Sequence, residues 1–264
     1  MLDYRLGCRF DATDPRDNDF RYMRKITAAE IPEETDFEDL CPGILDQGNL
    51  GYCVWNGISG VGRYIMQKEG HPAPFWPSRL YGGWWTAFRE GTVGQDVGFS
   101  IRDSFKVGRR RGFCPETLWP YVTPVGDPPY SPNEKFAQKP PPECDAQAKL
   151  CQMINYRRVV DLLDAKACMA EKIPVVFGFE VFESIYNPEV AETGIIPMPN
   201  RNERSLGGHC VDSYRFSDYD GLVGGPNSWG MWGNKGFYRL PYGYWEKGLV
   251  HDMWMLELTE VPAA

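Results

Sequence analysis

The chain has 264 residues, 42% of them hydrophobic and 14% aromatic, which is a globular composition with enough material for one large core or two halves sharing a cleft. Its formal net charge of −8 excludes nucleic-acid binding through a broad basic face. No segment reaches the roughly 18 apolar residues of a membrane helix, and the N-terminus carries early charges of both signs with no apolar signal core, so a cytoplasmic monomer without membrane contact is expected.

Residues 1–39 are rich in Asp, Arg and Glu, with turn signals at Asp14-Pro15 and Ile31-Pro32, and read as an extended N-terminal arm with little regular structure. From Cys53 the apolar residues Val54, Trp55, Ile58, Val61, Ile65 and Met66 recur at helical spacing until Gly70 and Pro72, which predicts a buried central helix over 53–69. Gly57, Gly60 and Gly62 would weaken that helix in isolation and suit one packed tightly among neighbours. Ser78 is placed as N-cap of a second helix over 79–90, with Trp84, Trp85 and Phe88 assigned to the core and Gly91 as the stop. A third amphipathic helix is expected over 99–111, with Arg109-Arg110-Arg111 as its solvated end. The prolines from Pro124 to Pro142 predict an irregular surface connection over 123–143, where the boundary between two halves is placed. Beyond it come a short helix over 161–172 and strands over 175–182, 208–216, 222–227, 236–240 and 254–258. A helical half, 40–143, followed by a mostly antiparallel β half, 144–264, predicts the α+β class.

The chemistry concentrates around Cys53. The turn Asp46-Gln47-Gly48-Asn49-Leu50-Gly51-Tyr52 delivers this cysteine to a helix N-terminus, where the macrodipole favours thiolate over thiol. Gln47 can bring a side-chain amide to the same point, which suits a nucleophile with an oxyanion donor beside it. A thiol nucleophile needs a base near neutral pH, and histidine fits best. Of the three histidines, His71 sits in a surface turn, His251 precedes the last strand, and His209 follows Gly207-Gly208, where a ligand can approach the backbone closely. If the next strand pairs with that of His209, Asn227 reaches its ring and Trp229 can shield the contact from water. Taken alone, Asn227-Ser228 reads better as a turn and Trp229 as core. No CxxC pair or other ligand spacing occurs among the eight cysteines, so neither metal nor cofactor is expected.

Three stretches resemble motifs of the papain-like cysteine peptidases. Residues Gln47 to Cys53 are similar to the QGxCGxC nucleophile motif, and Gly208-His209 to the GH motif. Asn227-Ser228-Trp229-Gly230 with Trp232-Gly233, Gly236 and Phe237 resembles the NSWGxxWGxxGY motif, and Cys114 to Tyr121 the stretch that leads to YPY. They occur in the family's order, Cys then His then Asn, across roughly residues 40–258. The resemblance implies a two-domain fold, with a helical half and an antiparallel β-barrel-like half facing across a cleft. It implies Cys53 as nucleophile, His209 as general acid/base, Asn227 as its orienter, and Gln47 with the Cys53 N–H as oxyanion donors. Trp229 would cover the His209–Asn227 contact. Substrates would be peptides or proteins, cleaved through a thioester acyl-enzyme by an endopeptidase. Gly98, beside Phe99, and the facing Gly208 are candidates for holding substrate backbone, and Cys210 for a wall of the specificity pocket.

The chain departs from the pattern in places. Leu50 stands where the family usually has a disulfide cysteine, which agrees with a reducing compartment. Val54 replaces a tryptophan, and the tryptophan motif is one residue short. No long pro-region precedes Cys53, so the arm and the proline-rich connection are the two segments placed to cover the cleft. The alternatives are a catalytically inactive papain-like peptide-binding protein and a thiol amidase or transpeptidase.

Overall fold

The N-terminal segment is built into the fold. Strand β1 (Cys8–Arg9) and strand β2 (Glu34–Asp36) place one strand of it in each of two sheets, where the sequence predicted an arm with little regular structure. The computed structural model describes residues 5–121, 135–151 and 153–258, so most of the proline-rich connection lies outside the described residues.

Helix α1 (Cys53–Lys68) follows the predicted apolar period, and Val54, Trp55, Ile58 and Val61 are all at most 1% exposed. Helix α2 (Arg79–Glu90) begins where Ser78 Oγ accepts the Tyr81 N–H at 3.1 Å and ends at Gly91 in the left-handed conformation. The Trp55 indole N–H donates to Thr86 Oγ1 at 3.0 Å and joins the two helices. Left unpaired, such a buried donor costs about 1–3 kcal/mol. Trp84 and Trp85 are buried, but Phe88, expected in the core, is 59% exposed. Its ring stacks on Trp84 and meets Trp85 edge-on from the outside, because the two tryptophans already fill the inward side of that turn.

Strand β3 (Phe99–Ser100) takes the first two residues of the predicted third helix, because their backbone pairs with β1. Helix α3 (Ile101–Arg111) then starts from Ser100, whose Oγ accepts the Asp103 N–H. Helix α4 (Pro142–Ala148), strand β4 (Met153–Arg158) and helix α5 (Leu162–Ala170) lead into the β-rich half. The remaining elements are β5 (Val175–Phe182), α6 (Pro188–Thr193), β6 (Ser205–Ser213), β7 (Arg215–Ser217), β8 (Leu222–Pro226), β9 (Phe237–Pro241), α7 (Gly243–Glu246) and β10 (Val250–Leu258).

One sheet runs β3-β1-β6-β5-β10-β4 and the other β2-β7-β8-β9, with every pairing antiparallel except β1 with β3. The single strand expected over 208–216 divides at Tyr214, where the chain crosses between sheets. The Tyr214 N–H donates to Gly224 O at 2.8 Å and its carbonyl accepts the Phe37 N–H at 3.1 Å, so the buried crossing leaves neither group unsatisfied. Helix α1 packs across β6 and β10, which brings its N-terminus to the strand of His209. Helices gathered in the first half and two largely antiparallel sheets give the α+β arrangement expected from the sequence. All eight cysteines are free. Among the described residues no helix is long and apolar enough to cross a membrane, and no cluster of three or more metal-ligating side chains forms.

Candidate active site

His209 lies on β6 and Asn227 directly follows β8. Their side chains meet at 2.8 Å between Nε2 and Oδ1. The same Oδ1 accepts the Ser228 N–H at 2.7 Å. That second donor fixes the amide so that its oxygen faces the ring, which makes Nε2 the protonated nitrogen and leaves Nδ1 as an acceptor. Nδ1 is buried and makes no hydrogen bond among the described residues. Trp229 stacks on the imidazole, with centroids 4.3 Å apart and planes 25° from parallel. Burial pushes the His209 pKa down to about 4, against a smaller upward pull from Asn227.

Cys53 opens α1 and has no exposed surface. Burial is the largest influence on its thiol and pushes the pKa far up, with the nearby Cys8 thiol adding to the rise. Backbone hydrogen bonding from Cys210, Gly7 and Val54 pulls the other way. Desolvation outweighs the helix-end field here, so the closed site holds a neutral thiol beside a neutral imidazole. Cys53 opens the helix that packs across β6, the strand that carries His209.

Gln47 is almost fully buried, and hydrogen bonds to both its backbone and its side chain hold it. Its N–H donates to Ser228 O at 2.9 Å, and its carbonyl accepts the Tyr121 hydroxyl at 2.7 Å. Ser228 Oγ donates to Oε1 at 2.6 Å, which turns Nε2 toward the cleft. Nε2 then donates to Leu50 O at 2.7 Å and to Arg5 O at 2.8 Å. Arg79 braces this turn from below: Nη1 donates to Asp46 O and to Asn56 Oδ1, the guanidinium pairs with Glu116, and Tyr121 lies under it. Nothing in the sequence marked Ser228 or Arg79 for these roles, since their partners are remote along the chain.

The groove already holds a peptide. Residues 5–9 of the N-terminal segment run between the two predicted backbone-binding glycines. Phe99 N–H donates to Gly7 O at 2.8 Å, and Gly98 packs against Gly7 so closely that a side chain would strike the Gly7 carbonyl. Gly98 also has φ +71°, a conformation glycine adopts without strain. On the other wall Cys8 pairs with Gly208, and a side chain at 208 would strike the Cys8 carbonyl. The Cys8 thiol lies over Gly178, the residue paired with Cys210. Ion pairs flank the segment: Arg5 with Asp96 at 3.2 Å, and Arg9 with Glu90. Asp11 hydrogen-bonds Ser100, and its pKa rises to about 6 through burial and the Asp252 charge.

The other histidines have local partners. His71 Nδ1 accepts the Ala73 N–H in a surface turn, and His251 pairs with Glu180 at 3.6 Å. One buried group escaped sequence reading. Asp212 on β6 faces Gly57 of α1, where a Cβ would lie 2.6 Å from its Oδ1, and burial raises its pKa to about 8.

No family model matches the chain. An uncharacterized peptidase C1-like protein of Acanthamoeba polyphaga mimivirus is 33% identical over 229 residues, which span 83% of this chain and 70% of that protein. Xylellain, a cysteine protease from Xylella fastidiosa, superposes with a TM-score of 0.86 at 31% identity, covering 98% of this chain and 100% of that one. A procathepsin B of Trypanosoma congolense gives a TM-score of 0.73 over 97% of this chain and 87% of its own, at 14% identity, a likeness of fold. A third of the sequence is thus shared with a peptidase C1-like protein over most of both chains, and the chain belongs to the papain-like cysteine peptidases.

Proposed function

We propose that the chain is an endopeptidase acting on peptide or protein substrates, with Cys53 as nucleophile, His209 as general acid/base and Asn227 as the group that orients the ring. His209 Nδ1 takes the thiol proton as sulfur attacks the scissile carbonyl carbon. The oxyanion is held by Gln47 Nε2 and the Cys53 N–H. Collapse expels the amine, protonated from Nδ1, and leaves a thioester that a water, deprotonated by the same nitrogen, hydrolyses. Trp229 keeps water from the Nε2–Oδ1 hydrogen bond. Gly98 and Gly208 hold substrate backbone, and Cys210 forms part of a side-chain pocket. In this reading the chain divides into an N-terminal arm, 1–39, a helical half, 40–143, and a β-rich half, 144–264. A reducing, cytoplasmic setting is supported by eight free cysteines.

The observation that carries the reading is the segment in the groove: an internal stretch of extended polypeptide with the Arg5 carbonyl on the Gln47 amide. The segment reaches the Cys53 thiol, which backbone hydrogen bonding from Gly7 and the Cys8 thiol both influence. We propose that this segment restrains the enzyme and that substrate enters when it leaves. The test is labelling by a thiol-directed epoxide peptide, with Cys53→Ala as control, followed by cleavage-site profiling on a peptide library. Cleavage of internal bonds is expected. Removal of terminal residues alone, or turnover of non-peptide amides alone, would displace the endopeptidase reading. Peptide binding with Cys53 unlabelled would displace the enzyme reading altogether.

A further inference from the structure

Arg110 and Arg111, the last two residues of a run read from sequence as a solvated helix end, border a cavity of about 660 Å³ between α2, α3 and the end of α4. Five basic side chains line it: Arg89, Lys106, Arg110, Arg111 and Lys149. Two acids answer them. Asp103 pairs with Arg89 at 3.0 Å and Lys106 at 3.4 Å, and Asp145 pairs with Arg111 at 3.4 Å. Arg110 and Lys149 have no acidic partner among the described residues, so the cavity keeps a positive surplus on a chain whose net charge is −8. Cations gathered this way repel one another unless an anion sits among them.

The cavity also has an aromatic wall. The Arg111 guanidinium lies over the Trp85 ring, and the Tyr81 hydroxyl holds Asp145 at 2.8 Å, so the pairing that fixes Arg111 is itself fixed. Phe88 beside them is 59% exposed and offers ring surface on which a planar group would stack. Arginine forks match phosphate oxygens in geometry as well as charge.

We propose that this cavity binds a small, multiply charged phosphate ligand, held by Arg110, Lys149 and Arg111. Its source is either inorganic polyphosphate or an organic phosphate whose planar ring stacks on Phe88. The site is separate from the peptidase cleft, and the inference does not depend on the catalytic reading. Titration calorimetry of the full chain at 50 mM NaCl with tripolyphosphate and with adenosine triphosphate tests it. Binding of at least one probe is expected, weakening severalfold in 300 mM NaCl. Arg110→Glu with Lys149→Glu should weaken it tenfold or more while leaving the ligand-free Tm and Cys53 labelling unchanged. Tighter binding of the ring-bearing probe, lost in Phe88→Ala, assigns the organic source, and equal binding of both assigns the inorganic one. No heat with either probe at millimolar concentration, or undiminished binding by the double variant, overturns the proposal.

Discussion

The cleft and the basic cavity are closed and open versions of a concave site. The cleft is lined by backbone: Gly98 and Gly208 lack side chains, and the strand Cys8–Arg9 fits between them through main-chain contacts. The cavity is lined by long charged side chains that no part of the described chain fills. A backbone-lined groove accepts any extended peptide, including its own, so it needs a restraint. A groove of separated charges rejects polypeptide backbone and waits for a counter-charge. The difference also appears in the electrostatics: burial under the segment drives Cys53 and His209 to neutral forms, whereas Arg110 and Lys149 stay in contact with water.

Removing the proposed nucleophile should have the largest effect. Cys53→Ala is expected to lower kcat by about 10⁴-fold or more, as loss of a covalent nucleophile does elsewhere. Near-normal turnover in that variant would break the assignment. Next comes Gln47→Ala, expected to cost about 10²–10³ in kcat, or about 2.7–4 kcal/mol of transition-state stabilisation. Because Gln47 also holds Arg5 O, this variant is best measured in a chain whose groove has already been opened, so that release of the segment does not offset the loss.

Gly7→Val opens it. A Cβ at residue 7 would collide with the Gly51 carbonyl, so the segment cannot seat. Overpacking of this kind costs about 1–3 kcal/mol, and epoxide labelling of Cys53 should accelerate about tenfold. An unchanged labelling rate would show that the segment does not limit access.

The smallest effect is on stability. The Asp212 carboxyl has a folded pKa of about 8, above its ordinary 3.8, so ionising it penalises the fold. That penalty is absent below about pH 4, grows as pH rises, and is complete above about pH 8. Asp212→Asn should therefore raise Tm more at pH 8.5 than at pH 5. Equal shifts at both pH values would mean that the carboxylate is compensated in place.

Much of the site was legible because its signals are local. The apolar period of α1, the Ser78 cap and Gly91 stop of α2, and the stretches around Cys53, His209 and Asn227 are each written within a few neighbouring residues. The fold's two-part α+β character followed from the same kind of reading. The role of the N-terminal segment was not legible. A two-residue strand has no periodicity, and the partners that make Cys8–Arg9 a strand are Phe99 and Gly208, far away along the chain. Phe88 went astray for a related reason: period places it near the core, but only packing tells that Trp84 and Trp85 have taken the space.

The sequence by itself determined which residues have the chemistry for thiol catalysis and the order in which they come, because side-chain type and turn signals survive without a fold. The tertiary structure alone decided that Ser228 aims the Gln47 amide, that the Arg5 carbonyl occupies that amide's remaining hydrogen, and that five cations share one cavity. Those are contacts between residues remote in sequence. Their geometry exists only once the two halves have closed, and so does the desolvation that sets the charge on Cys53 and His209.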